Sequence, residues 1–294
     1  MANANGWGDG ASNNNISWGK GADNAIGWGS VYSVSSAGAT DIVGTPAPPP
    51  TDPDAQAFIT AASITDPTQQ SAINTLVTDL KGYSIWTKFK AIYPIVGGVA
   101  SSHAVNLKSP GTYNLTFATG WTHSANGMTP LNTLANTSLI PNSVLSLNST
   151  HIAYYSRTNI AEGVYDIGTQ TLGNDYLALN ARNPANNFRV LVNDGGIGDF
   201  SNSDSRGLFV VNRTSASVRN SFINGVKKLN DTTSATARST NSIYLGSLNN
   251  AGSAAAFSTK QCAFASIGDG LTDTDAANFY TAVQAYQTAL SRNV

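Results

Sequence analysis

Gly207-Leu208-Phe209-Val210-Val211-Asn212-Arg213 and, shortly after it, Ser217-Val218-Arg219-Asn220-Ser221-Phe222-Ile223-Asn224-Gly225-Val226-Lys227 set the character of this chain. The runs are rich in β-branched and aromatic residues, and between Ile223 and Val226 stand Asn224 and Gly225, the residue types that tolerate the two positive φ angles of a tight hairpin turn. The spacing predicts strands at 208–212 and 218–223, with the chain turning back on itself at 224–225. Outward in both directions the texture repeats. Short runs of the same kind, separated by Gly, Asn, Ser and Pro clusters, fall at 86–93, 113–117, 151–156, 163–167, 176–179, 188–192, 242–246 and 261–267. So many short strands at this spacing predict a mainly β protein, a sandwich or barrel.

Helical patterning flanks the strands. Phe58, Ile59 and Ala62 share one side of 54–63, and a second start follows at Thr65-Asp66-Pro67, where Thr65 or Asp66 can cap and Pro67 suits the first helical position. Ile73, Leu76, Val77 and Leu80 then give an apolar face ending near Gly82. At the other end Thr272 and Asp275 form a capping-box-like start, and Ala276, Phe279, Tyr280, Val283, Tyr286 and Leu290 repeat at helical spacing through about 291. These stripes are read as faces packed on the sandwich, so the domain spans 51–294, opened by two short helices (about 54–82) and closed by one (about 272–291).

Residues 1–50 read differently. Trp7, Trp18 and Trp28 recur at spacings of 11 and 10 residues, each beside glycine, and five prolines crowd positions 46–53. A segment this rich in Gly and Asn cannot build a core, yet indoles are costly to leave in water. The expectation is an extended attachment arm whose Trp7, Trp18 and Trp28 dock onto another protein or a symmetry mate, followed by a stiff Pro-rich spacer. The alternative is that the three indoles fold back onto the main domain.

Composition limits function. The 294 residues are 41% hydrophobic, enough for a full core, but only 11% are charged, and 16 basic residues balance 17 acidic ones to a formal net charge of −1. That leaves no field to gather nucleic acid or anionic lipid. Cys262 is the only cysteine; its neighbours Ala263 and Phe264 suggest a buried thiol in a strand, and a single cysteine excludes an internal disulfide. No run approaches the length of a membrane helix, and the first residues lack a basic start followed by an apolar core, so assembly in a cytoplasm is expected.

The segments 207–213, 222–227 (Phe-Ile-Asn-Gly-Val-Lys), Ile243-Tyr244-Leu245-Gly246 with Asn249-Asn250, and Phe264-Ala265-Ser266-Ile267-Gly268-Asp269-Gly270-Leu271-Thr272 together resemble concanavalin A-like/laminin-G-like domains in content and order. The resemblance implies a jelly-roll β-sandwich. The stretch from Ala57-Phe58-Ile59 through Ile85-Trp86-Thr87-Lys88-Phe89 to Pro94, then Gly120-Trp121-Thr122-His123, and the close from Gly270 to Tyr280 resemble a group of bacteriophage structural proteins, with 54–294 as one unit. That resemblance implies a virion component, a head or tail fibre or decoration protein assembled in the host cytoplasm. Its arm, residues 1–50, would bind other virion proteins, and by fibre analogy it would be a homo-oligomer, a trimer. A carbohydrate-binding host-adhesion module touching a host surface glycan is the alternative reading, and a glycan-active enzyme on the same fold is a third.

The chemistry favours no enzyme. Hydrolysis on such a sandwich uses two carboxylates, commonly two glutamates on one strand, and Glu162 is the only glutamate here. An aspartate pair among Asp166, Asp175, Asp194 and Asp199 is left open. His103, His123 and His151 have no neighbour at metal-ligand spacing, no Gly-x-Ser-x-Gly occurs, and Gly195-Gly196-Ile197-Gly198 lacks the lysine and following helix of a phosphate loop. Asn193, Asp194, Asp199, Asn202 and Asp204 make an oxygen-rich stretch that reads as a solvated loop or, alternatively, a calcium site. No cofactor and no catalytic residue is expected.

Overall fold

The computed structural model describes residues 51–294, together with the strands Tyr32–Ser33 and Ile42–Val43, which pair antiparallel. The chain divides at Pro50/Thr51 into two units, and the second, Thr51–Val294, contains the sandwich. Trp7, Trp18 and Trp28 lie outside the described residues.

Two sheets and a helical layer build this unit. The eight-stranded sheet runs Val226–Asp231, Val218–Ile223, Gly207–Ser215, Thr150–Ser156 and Cys262–Gly268. The free edge of Cys262–Gly268 is shared by Phe89–Tyr93 and by the hairpin Trp121–Ser124/Gly127–Pro130. The nine-stranded sheet runs Gly198–Ser201, Asn187–Asp194, Tyr176–Asn180, Ile167–Gln170, Tyr244–Leu245, Ala135–Asn136 and Thr116–Phe117. Leu248–Asn250 pairs parallel with Ile167–Gln170 and antiparallel with Ser253–Ala255; every other pairing in the two sheets is antiparallel. The expected mainly β sandwich is what the chain forms.

The eight-stranded sheet is the middle layer, and period-two alternation shows why. Ala153, Tyr155, Leu208, Val210, Phe222 and Phe264 join one apolar cluster with the helices, while Ile152, Tyr154, Phe209, Val211, Ala265 and Ile267 join another with Ile167, Leu177, Leu179, Phe188, Val190 and Val192 of the nine-stranded sheet. Strands buried on both faces carry unbroken apolar runs instead of an alternating pattern, which is how Leu208-Phe209-Val210-Val211 arises. At about 25 cal/mol per Å² of apolar surface, both faces of this sheet contribute to the core.

Five α-helices occur among the described residues: α1 (Pro53–Ala61), α2 (Pro67–Gly82), α3 (Ala100–His103), α4 (Pro141–Val144) and α5 (Asp273–Ala289). Asp52 caps α1 through the Asp54 amide, Asp66 caps α2 through Gln69, and Thr272 with Asp275 closes a complete capping box on α5. Lys81, at the end of α2, reaches back to Asp52 at 2.7 Å and Asp54 at 2.6 Å, clamping the first two helices together. Phe58, Leu76, Leu80, Phe279 and Val283 form the underside of this layer.

Several strand expectations shift. The run predicted at 86–93 begins as a 3-10 turn, Trp86–Lys88, before the strand Phe89–Tyr93. The strand expected at 163–167 lies instead at Ile167–Gln170; Asp166, just before it, donates its amide to the Leu179 carbonyl and accepts from the Gly246 amide. The runs expected at 113–117 and 242–246 contract to Thr116–Phe117 and Tyr244–Leu245. The oxygen-rich stretch is largely strand: Asn193 and Asp194 end Asn187–Asp194, and Asp199 lies in Gly198–Ser201.

Candidate ligand-binding face

Because Phe188, Val190 and Val192 point inward, the residues between them on the same strand, Arg189 and Leu191, emerge on the outer face of the nine-stranded sheet. Leu177 and Leu179 likewise send Ala178 outward. Ala178, Leu191 and Leu248 form a small apolar floor there, and Tyr165 and Tyr176 pack against it, both half-buried. Their ring centroids lie 6.4 Å apart with planes inclined by 32°. Burial pushes the Tyr165 phenol up, with Arg189 beside it acting against that.

Arg189 and Asp199 are direct cross-strand partners, so their side chains emerge together. They form a bidentate pair, Nε to Oδ1 and Nη2 to Oδ2 both 3.0 Å, with about 30% of each side chain exposed (31% and 27%). The face thus combines two aromatic rings, an aliphatic floor and a planar set of donors and acceptors that carries no net charge.

No protein-family model matches the chain, and no curated protein matches it. Among solved structures it is similar to domain 4 of AbnA, a GH43 extracellular arabinanase from Geobacillus stearothermophilus in complex with arabinotriose, at 14% identity over 65% of this chain and 98% of that one, TM-score 0.42. It is similar to a mutant Trypanosoma rangeli sialidase displaying trans-sialidase activity, at 9% identity and TM-score 0.48, over 75% of this chain and only 39% of the sialidase. A third likeness is to the CBM40 of a Ruminococcus gnavus IT-sialidase bound to α2,3 sialyllactose, at 16% identity over 42% of this chain and 77% of that one, TM-score 0.33. With every TM-score below 0.5, these are likenesses only.

The acidic residues singled out in the sequence are all engaged. Asp194 is buried between two arginines, 2.7 Å from Arg213 Nη2 and 3.0 Å from Arg219 Nη1, and Arg219 continues to Asp231 at 2.6 Å. Asp175 accepts from the amides of Thr171 and Leu172, and Asp204 pairs with Arg206 at 2.7 Å. Asn202 donates to the carbonyls of Ala181 and Asp204. Glu162 accepts from the Thr259 amide and hydroxyl, and Asp166 is fully buried beside Lys260. Among the described residues no group of three or more His, Cys, Asp or Glu side chains is placed to hold a metal ion.

Two of the histidines meet in space. His103 and His123, without a common sequence signal, approach through their Nδ1 atoms at 2.9 Å, and Nε2 of His103 is buried without a partner. The pair shares a single proton in that contact. Burial, then His123 and Arg292, push His103 down to about 3. The Arg213–Asp194–Arg219 cluster matches no sequence motif, though it leaves a trace: the hairpin register sets Arg213 directly opposite Arg219, and two like charges side by side inside a sandwich demand an acid between them.

Proposed function

We propose that the chain is a non-catalytic carbohydrate-binding sandwich, and the observation that carries the reading is the Tyr165/Tyr176 face with its neutralised Arg189–Asp199 pair. Sugar rings present flat C–H faces that stack on tyrosines and edges of hydroxyls that match paired donors and acceptors. The absence of net charge on the face fits neutral sugars. Low overall charge and an Asn-, Ser- and Thr-rich sequence fit the same ligand class.

Residence on a bacteriophage particle, as a head or tail fibre or decoration protein, is proposed on the sequence resemblance alone. In that setting the sandwich would serve adhesion to a host glycan, residues 1–50 would attach it to other virion proteins, and fibre analogy proposes a trimer. The absence of hydrolysis is likewise a proposal. It is supported by the engagement of Glu162, Asp166, Asp194 and Asp199 with cations and amides, because hydrolysis needs one carboxyl free to deliver a proton and a second left ionised at the sugar.

The test is titration of the full chain against neutral host polysaccharides, with reducing ends assayed in the same tubes. Binding that weakens about tenfold or more in Tyr176→Ala, without release of reducing ends, is expected. Unchanged affinity in both Tyr165→Ala and Tyr176→Ala removes this face from consideration, and released reducing ends make the protein an enzyme.

A further inference from the structure

Lys260, Asp166 and Asn180 come together from three separate segments at one end of the sandwich, with 0%, 0% and 1% of their surfaces exposed. Lys260 Nζ lies 3.1 Å from Asp166 Oδ1 and 3.4 Å from the amide oxygen of Asn180. Asp166, with Glu162 Oε1 at 3.4 Å beyond it, answers the cation's charge. The asparagine is held in a defined pose beside it: its Nδ2 donates to the Glu162 carbonyl at 2.6 Å, and its Oδ1 accepts from the Arg182 amide at 3.0 Å. Asp166 is equally fixed, accepting from Ser258 Oγ at 2.6 Å and from the Ala181 amide at 2.7 Å.

We propose that this cluster is a self-modification site, in which Lys260 and Asn180 join in an intramolecular amide bond with Asp166 as the catalytic acid and base. Asp166 takes a proton from Lys260 Nζ, leaving an amine lone pair. The amine adds to Cγ of Asn180, and the negative charge that gathers on Oδ1 is met by the Arg182 N–H already bonded there. Asp166 returns the proton to Nδ2 and takes the second proton from the added nitrogen as the Cγ–Nδ2 bond breaks; the ammonia released accepts that proton from Asp166 and leaves as ammonium. One C–N bond forms and one breaks, and no oxidant, reductant or further reactant is needed. An amine held 3.4 Å from the amide oxygen of Asn180 and the exclusion of water favour an otherwise slow amine-for-amide exchange.

The product would tie the strand Tyr176–Asn180 of one sheet to the segment entering Cys262–Gly268 of the other. This bond is independent of the tyrosine face, and its test does not involve a ligand. Purified full chain is denatured, weighed intact, and mapped with a lysine-specific protease. The expected result is a mass one ammonia below that of the sequence, no cleavage after Lys260, and a branched peptide joining Lys260 to Asn180. Lys260→Arg, which keeps a cation but no amine nucleophile of this kind, is expected to show no such loss, and Asp166→Asn to leave the bond unformed. An unmodified wild-type mass with cleavage after Lys260 overturns the proposal, as does ammonia loss without a branch. Loss of water with the branch at Asp166 overturns the choice of Asn180, and a bond that still forms in Asp166→Asn overturns the role of that carboxylate.

Discussion

Asp194 shows how much one side chain can carry when its neighbours are buried. Two guanidiniums with almost no exposure, Arg213 at the end of the middle sheet and Arg219 opposite it, both depend on this one carboxylate, and Arg219 has Asp231 besides. Replacing such a cluster wholesale with apolar residues can be neutral, but removing one member strands the others. Asp194→Asn keeps the volume and removes the charge, and is expected to cost about 3–5 kcal/mol, measured as a lower denaturant midpoint with an unchanged slope. A loss below about 1 kcal/mol would mean that the surrounding carbonyls of Val192, Ala216 and Thr233, which also accept from Arg213, satisfy the arginine unaided.

The hairpin at 218–231 is the element in which sequence and structure agree most closely. Asn224 and Gly225 adopt φ of 51° and 73°, the two positive angles of the turn, and the tip rests on α5, where a Cβ on Gly225 would come within 2.9 Å of Tyr280 Cβ. Gly225→Ala therefore meets both backbone strain and a contact that cannot relax cheaply; a loss of roughly 1–3 kcal/mol is expected, read as a fall in thermal midpoint, and an unchanged midpoint would show that α5 yields. Turns and capped helices were legible because each announces itself within a few residues: Asn-Gly, Asp66-Pro67, Thr272 with Asp275. The short strands Trp121–Ser124, Ala135–Asn136 and Leu248–Asn250 were not, since each has only two to four residues, most of them polar or small, and too few to show an alternating pattern. The ligand face was hidden for a related reason. Tyr176, Arg189 and Asp199 become neighbours through strand register and Tyr165 through the segment leading into Ile167–Gln170, and nothing local marks them as one surface.

The molecule as a whole is built to keep its buried histidines neutral, and acid is what tests that. His103, His123 and His151 all sit below their ordinary value, His103 at about 3 and His151 at about 4, the latter lowered by burial against the pull of the Asp269 carbonyl. Between about pH 6.5 and those values the unfolded chain takes up protons that the folded one refuses, so this part of the stability is complete above about 6.5 and drains away as pH falls toward about 3. Melting temperature is expected to drop between about pH 7 and 4.5, with Asp79 and Asp194, which burial holds above the usual carboxylate value, acting in the opposite direction, and the drop should be shallower in His151→Gln; an equal drop in that variant would contradict the burial of the ring. The middle sheet has a consequence in time. Its central neighbours Thr150–Ser156, Gly207–Ser215 and Cys262–Gly268 are far apart along the chain, and α2 must wait for α5 to cover its apolar side. Even Val294 is tied in, with its amide on the Tyr155 hydroxyl. The central layer cannot close until Cys262–Gly268 has been made, so the earlier strands wait for it and folding is dominated by long-range pairing, on a timescale expected to be milliseconds to seconds. The Trp-bearing segment, made before the sandwich, is already outside the ribosome throughout that wait.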